Sequence, residues 1–366
     1  MPEIWIPFGP VETLVTIQAE NLGTVVDERA EKGTVDSERL LETAKAAAAF
    51  FVCDVRPSTL ELIKDLSPAI SSSDGTKVFS AAPRRVESAV PELRGRVYTL
   101  PPPVKLGGDE KPVLSAELTA PGKKVFAGTA SPDPYFGISD PRVEACLNWV
   151  ANSSREAAKG TKSLEPTPFR KTLHYDRLED LTQRFTHSTF LTVVPRGGKL
   201  RTVMEDAPFD AVRNGFPKVE MSPAKALVIG AGGRGYDDSL SSSLRSVWGA
   251  TAGLRKAGTL LLIAECSEGL GSTTLEMLAT GRLPMEAARK QDRAAVGMEE
   301  VFYLNKLKDE YDVLLLSGLP EVYASQKLGL TTAKGSGEAV GRLLNKVGRS
   351  GKVNVVTRAS ECRPSA

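Results

Sequence analysis

Short apolar runs, each closed by a glycine, a proline or a charge, recur along the chain. Ala49–Cys53, Lys77–Ser80, Ala226–Gly230, Thr259–Ala264, Val313–Leu316 and Val353–Thr357 are too short for helices and do not alternate with polar residues. That is the pattern of strands buried on both faces of a parallel sheet. Between them lie stretches with helical spacing. They are Ser37–Ala49 (Leu40, Leu41, Ala44, Ala48), a helix over Ser58–Leu66 with Ser58 as its cap, Pro141–Lys159, Leu240–Lys256, Thr273–Thr280, Met285–Ala294 and Ser336–Val347. Two places break the rhythm with antiparallel signals. Ile4, Ile6 and Phe8 face Val11–Ile17 across Gly9-Pro10, and Phe190–Val194 faces Leu200–Met204 across a turn containing Gly197-Gly198. From Pro91 to Pro134 proline and glycine dominate, and only short strands or loops around Val113–Leu118 and Val125–Gly128 fit. The pattern predicts an α/β protein of two domains, each a largely parallel sheet flanked by helices, with a cleft between them. A composition shift near Asn214–Ser222 places the boundary, giving domains over 1–215 and 216–350 and a tail over 351–366 whose strand is able to return to the first domain.

Composition narrows the chemistry. The 366 residues carry 47 Lys and Arg against 45 Asp and Glu, and this net +2 argues against a nucleic-acid partner. The longest apolar runs fall far short of a membrane span, and no basic and apolar leader opens the sequence, so a cytoplasmic protein with no membrane partner is expected. Cys53, Cys146, Cys266 and Cys362 form no short-spaced pair. His174 and His187 are the only histidines, which excludes a histidine-rich metal site, and no metal is predicted.

Candidate chemistry gathers at the strand ends, where open α/β sheets bind ligands. Gly230-Ala231-Gly232-Gly233-Arg234-Gly235 follows a buried strand and is suited to bringing backbone amides close to an anion. It satisfies a dinucleotide spacing, but the next acidic strand end, Glu265, comes some ten residues too late. Asp54 and Arg56 close one strand, Arg84 and Arg85 follow another, and Glu265 and Glu268 flank Cys266 in a third loop. Arginine at such ends suits bidentate binding of carboxylate or phosphate. His187 stands just before a strand and His174 in a polar stretch.

Taken together, these segments resemble the lactate racemase family. The resemblance rests on Gly232-Gly233 through Asp237, Leu240 and Arg245, on Ala264-Glu265-Cys266-Ser267-Glu268-Gly269-Leu270-Gly271, on Asp54-Val55-Arg56-Pro57, on Phe190–Val194 through Ala207-Pro208, and on Ile6-Pro7-Phe8-Gly9. It is strongest over 226–345 and implies two α/β domains with the active site between them. The family racemises a 2-hydroxy acid with two histidines and a nickel-pincer nucleotide tethered to a lysine. Here Arg84 falls where the first histidine is expected, Arg142 or nothing stands in the lysine's place, no histidine precedes His174, and Ser241, Ser242 and Arg245 replace a Tyr-Gln pair and a lysine. An arginine cannot act as a base near neutral pH. The expectation is a divergent member without the nickel-pincer cofactor, or any other, that binds a small anionic ligand through Asp54, Arg56, Arg84, Gly232, Gly233, Ser241, Ser242 and Arg245. Two readings stay open, with a nucleotide-dependent enzyme using Gly230–Gly235 as a third. One is an isomerase of racemase or epimerase type drawing a base from Asp54, His187, Glu265 or Glu268. The other is a non-catalytic anion-binding or regulatory protein on the same fold.

Overall fold

The computed structural model describes residues 2–27, 35–73, 75–100, 112–151, 165–197, 199–283 and 298–365. The helix expected over Pro141–Lys159 ends at Trp149, where Val150–Ala151 turns into a short strand paired with Val113–Leu114; residues 152–159 and the helix expected over Met285–Ala294 lie outside the described residues. Among the described residues no helix is long and apolar enough to cross a membrane.

Two six-stranded sheets organise the chain. In the first, the spatial order is Lys199–Glu205, Ser188–Arg196, Lys124–Thr129, Ala49–Val52, Lys77–Ser80 and Val97–Tyr98. All its neighbours are parallel except the Ser188–Arg196 and Lys199–Glu205 hairpin at one edge. In the second, Thr331–Ala333, Asp312–Leu316, Leu254–Ile263, Ala224–Gly230, Val353–Val356 and Leu22–Val26 run parallel throughout. The apolar runs are the central strands, and each is buried on both faces as its lack of alternation predicts.

The layers explain why the two sheets hold together. The outer side of the first sheet packs on the helices Ser37–Lys45 and Pro57–Ser72 through Leu40, Leu62, Ile63 and Leu66. The outer side of the second packs on the N-terminal hairpin, Glu3–Phe8 with Val11–Thr16, and on the helix Ser336–Val347. The inner sides share one apolar cluster, running from the stacked rings of Phe51, Phe126 and Phe190 to Leu227, Ile229, Leu260 and Leu262. The carboxyl ends of both sets of strands border this shared layer.

Several elements differ from the sequence reading. Ser58 is not a cap: Pro57 occupies the first helical position and Arg56 the cap, without a side-chain hydrogen bond there. Pro57 presets the helical φ, so the helix starts one residue earlier. The helix expected to reach Lys256 ends at Ala250. A tight turn through Gly253, whose missing Cβ makes room for Met221, lets Leu254 begin a ten-residue strand. Leu22–Val26 escapes the pattern because it is an edge strand with mixed exposure.

That strand carries an organisational consequence. The first 26 residues fold onto the second sheet and not the first, and Val353–Val356 lies within the second sheet beside Ala224–Gly230 instead of returning to the first domain. Arg363–Ser365 pairs with Lys218–Glu220. Asn354 locks this arrangement: its side chain accepts from Thr24 N at 2.9 Å and donates to Ser222 O at 2.8 Å and Gly253 O at 2.9 Å. Asn354→Leu strands these three backbone groups, and a loss of about 3 kcal/mol is expected in urea unfolding. A loss below about 1 kcal/mol would show that water replaces the amide.

Candidate functional site

The first group of candidate residues is partly buried and already paired. Asp54 follows the strand Ala49–Val52, and its carboxylate accepts from Thr129 N (2.7 Å), Arg56 N (2.9 Å) and Thr59 Oγ1 (2.8 Å). Arg56 donates to Thr129 O at 2.6 Å, lies 3.7 Å from Asp54 and 3.9 Å from Glu144, and sits 5.3 Å over the Tyr236 ring. Arg245, on the helix Leu240–Ala250, faces Asp133 at 3.9 Å and Glu300 at 3.5 Å. Burial opposes the charge on both guanidiniums, yet the carboxylates beside them outweigh it and raise their basicity. Glu144 lies close enough to both to couple them.

Arg56 and Arg245 come together as the cations of one partly buried ion network, each facing carboxylates. Carboxylates outnumber them, so strain collects at the acidic side. One oxygen of Glu300, buried at 6% exposure, has no hydrogen-bond partner, and Glu299 is pushed up to about 7 by burial and by Glu300 beside it.

The remaining candidates separate further. Ser241 donates to Glu300, while Ser242 is used in a capping box with Ser239 at the start of its helix. Arg84 is exposed and, among the described residues, has no hydrogen bond or ion pair. Its neighbour Arg85 instead crosses to Asp238 (3.4 Å) and Glu268, joining the two halves at the rim. His187 is exposed at the amino-terminal end of its strand, where its carbonyl accepts from Lys124 N. It was misplaced because a residue before a parallel strand lies at the end opposite the ligand-binding one. His174 stacks on Tyr135 at 4.2 Å.

Gly232 and Gly233 stand apart from this network. They line a cavity of about 590 Å³ between the two halves, walled by the N-terminal hairpin, the start of the helix Pro57–Ser72, the Pro195–Lys199 turn and the ends of the strands Ala224–Gly230 and Val353–Val356. Their φ angles are +134° and +81°, and a Cβ on Gly232 would fall 2.2 Å from Ser360 Oγ. Only glycine keeps this path. Among the described residues neither of their N–H groups has an acceptor, and the same holds for Ser58 N at the uncapped helix start on the facing wall. Arg234, Arg358 and Lys199 bring cations to the cavity, and Glu12 and Glu361 the carboxylates. Arg358 donates to Gly232 O at 3.0 Å and lies 3.8 Å from Glu361. Arg358 and Lys199 were missed in sequence. The strand-end rule that singled out Gly232 applies equally to Arg358, just past Val353–Val356, whereas nothing local marks Lys199.

Asp237 holds this wall in shape and was also missed. It is fully buried, accepting from Gly9 N at 2.8 Å and from Glu265 N at 3.4 Å, with its other oxygen unpartnered. It thus ties the hairpin and the Glu265 loop to the glycine turn. Glu265 is half-buried, packs against Gly9 and accepts from Ser267 Oγ at 2.9 Å.

No protein-family model matches this chain, and no curated protein does. Solved structures do. The apoprotein of lactate racemase from Thermoanaerobacterium thermosaccharolyticum aligns over 100% of both chains with a TM-score of 0.70 and 14% identity. A Thermotoga maritima protein covers 90% of this chain and 97% of its own, with a TM-score of 0.55 and 11% identity. The chain has a lactate-racemase-like fold.

Burial raises the Asp237 carboxyl to about 6, against the hydrogen bonds that favour its charge. A folded-state value above the unfolded one means the native state holds its proton longer, so this stabilising contribution is present below about pH 4 and lost as pH rises to about 6. Asp237→Asn keeps an acceptor for Gly9 and removes the titration. The stability of wild type relative to the variant should fall across that window by roughly 3 kcal/mol in denaturant titrations. A pH-independent difference would sink the assignment.

Proposed function

We propose that this protein binds a small oxyanion, a carboxylate or a phosphate, in the cavity between its two sheets. The observation that carries the reading is the convergence of unpartnered backbone amides, Gly232 and Gly233 on one wall and Ser58 on the other, on a concavity supplied with three cations. Amides at a helix start and in a glycine turn favour negative charge without needing a counter-ion of their own. Arg234 and Lys199 are exposed and able to follow the ligand, and Arg358 is fixed by the turn it supports.

Stereochemical inversion at this cavity would need proton carriers that reach the substrate; neither histidine lines it, and its carboxylates are Glu12 and Glu361. Asp54 is saturated by three hydrogen bonds, and Glu265 is held by Ser267. The nickel-pincer nucleotide of the family resemblance does not fit these residues either. Arg142, where its tether is expected, is buried, paired with Asp140 at 3.4 Å and placed over the Phe190 ring, with no amine to offer.

Calorimetric titration with inorganic phosphate and with lactate tests the proposal. One site is expected, weakened at least about tenfold, or ~1.4 kcal/mol, by Arg234→Gln or Arg358→Gln. Arg245→Gln should leave it unchanged, because Arg245 belongs to the buried network. Absence of binding by either anion, or loss only in the Arg245 variant, overturns the reading.

A further inference from the structure

Trp5 is the feature of this cavity that anion binding leaves unexplained. The strand Glu3–Phe8 alternates, with Ile4 and Ile6 buried against the second sheet and Trp5 on the opposite face. It is 52% exposed and lines the cavity. Tryptophan left in water forgoes a large burial term, so an unpaired indole on a cavity wall calls for a partner. None comes from this chain: among the described residues no ring stacks on it and no cation lies over it. The surfaces beside it are apolar and rigid, from Pro7, Pro10, Val11 and Pro195. The Gly232-Gly233 turn packs on this hairpin, with Gly233 against Pro7 and Arg234 N donating to Gly9 O at 3.0 Å, and Arg358 lines the same cavity.

We infer that the ligand of this cavity is an aryl-bearing oxyanion, its flat ring stacked on Trp5 and its charged group held at the Gly232-Gly233 turn. The inference rests on the oxyanion reading above and adds the chemistry of the rest of the molecule. A bare inorganic ion or a short hydroxy acid would leave the indole wall empty. A flexible aliphatic tail would cover it without using the ring face. A planar aromatic group matches the indole's geometry and loses little conformational freedom on binding.

The protein carries its own reporter. Of its three tryptophans, Trp149 and Trp248 are buried at 1% and 5% exposure, so iodide quenching reads Trp5. Titrations would use inorganic phosphate, butyl phosphate and phenyl phosphate on wild type and on Trp5→Ala, with circular dichroism confirming the fold. The expected result is phenyl phosphate binding at least about tenfold more tightly than either other probe and shielding Trp5 from iodide. Trp5→Ala should erase that advantage while inorganic phosphate keeps its affinity within about twofold. If phosphate binds and phenyl phosphate gains nothing, or butyl phosphate gains as much, the aryl inference falls and the oxyanion reading stands. If no probe binds, the oxyanion reading itself fails and takes this one with it.

Discussion

Two partly buried guanidinium groups govern the middle of this molecule. A charge drawn out of water must be compensated by geometry close at hand, and Arg56 and Arg245 gather the neighbouring Asp54 together with Glu144, Asp133 and Glu300 from distant parts of the chain. Asp133 comes from the segment after a first-sheet strand and Arg245 from a helix of the second half, so their pairing spans the two halves within the shared apolar layer. The space that the fold could offer to a substrate is thereby occupied by the protein's own ions. On the binding reading proposed above, ligand chemistry falls instead at the glycine turn, among backbone amides.

Two kinds of charge neutralisation therefore coexist a short distance apart. In the buried network every cation meets a carboxylate, and the leftover tension shows as an unsatisfied Glu300 oxygen. At the turn the positive potential comes from backbone N–H groups, which need no partner because they are dipoles. Asp237 stands between the two regimes: it accepts the amides of Gly9 and Glu265, while Gly232 and Gly233 line the cavity.

The sequence made the strands legible because four consecutive apolar residues such as Ala49-Phe50-Phe51-Val52 or Leu260–Ile263 have few other homes. Gly232 and Gly233 were legible as a close-approach turn for the same local reason, and both line the cavity. Pairing was not legible. Nothing near Arg245 in sequence reveals that Asp133 and Glu300 await it, 112 and 55 residues away, so a satisfied arginine and a ligand-binding one look alike. Ser241 and Ser242 show the same limit, since adjacent hydroxyls point to a buried carboxylate and to a helix cap respectively. A fold shared with lactate racemase at 14% identity shows how few identical residues such an architecture needs.

The pairing of Leu22–Val26 with Val353–Val356 also sets a schedule. Thr24 meets Asn354 across 330 residues of sequence, whereas every strand of the first sheet lies between Ala49 and Glu205. During synthesis the first sheet has all its strands once residue 205 has left the ribosome. The hairpin carrying Trp5 and the Leu22–Val26 strand must wait, their apolar faces uncovered, for a partner made roughly 330 residues later. Closing the sheet around that late strand also builds the cavity wall, because Arg358 follows it directly. That cavity wall is thus among the last parts of the molecule to exist.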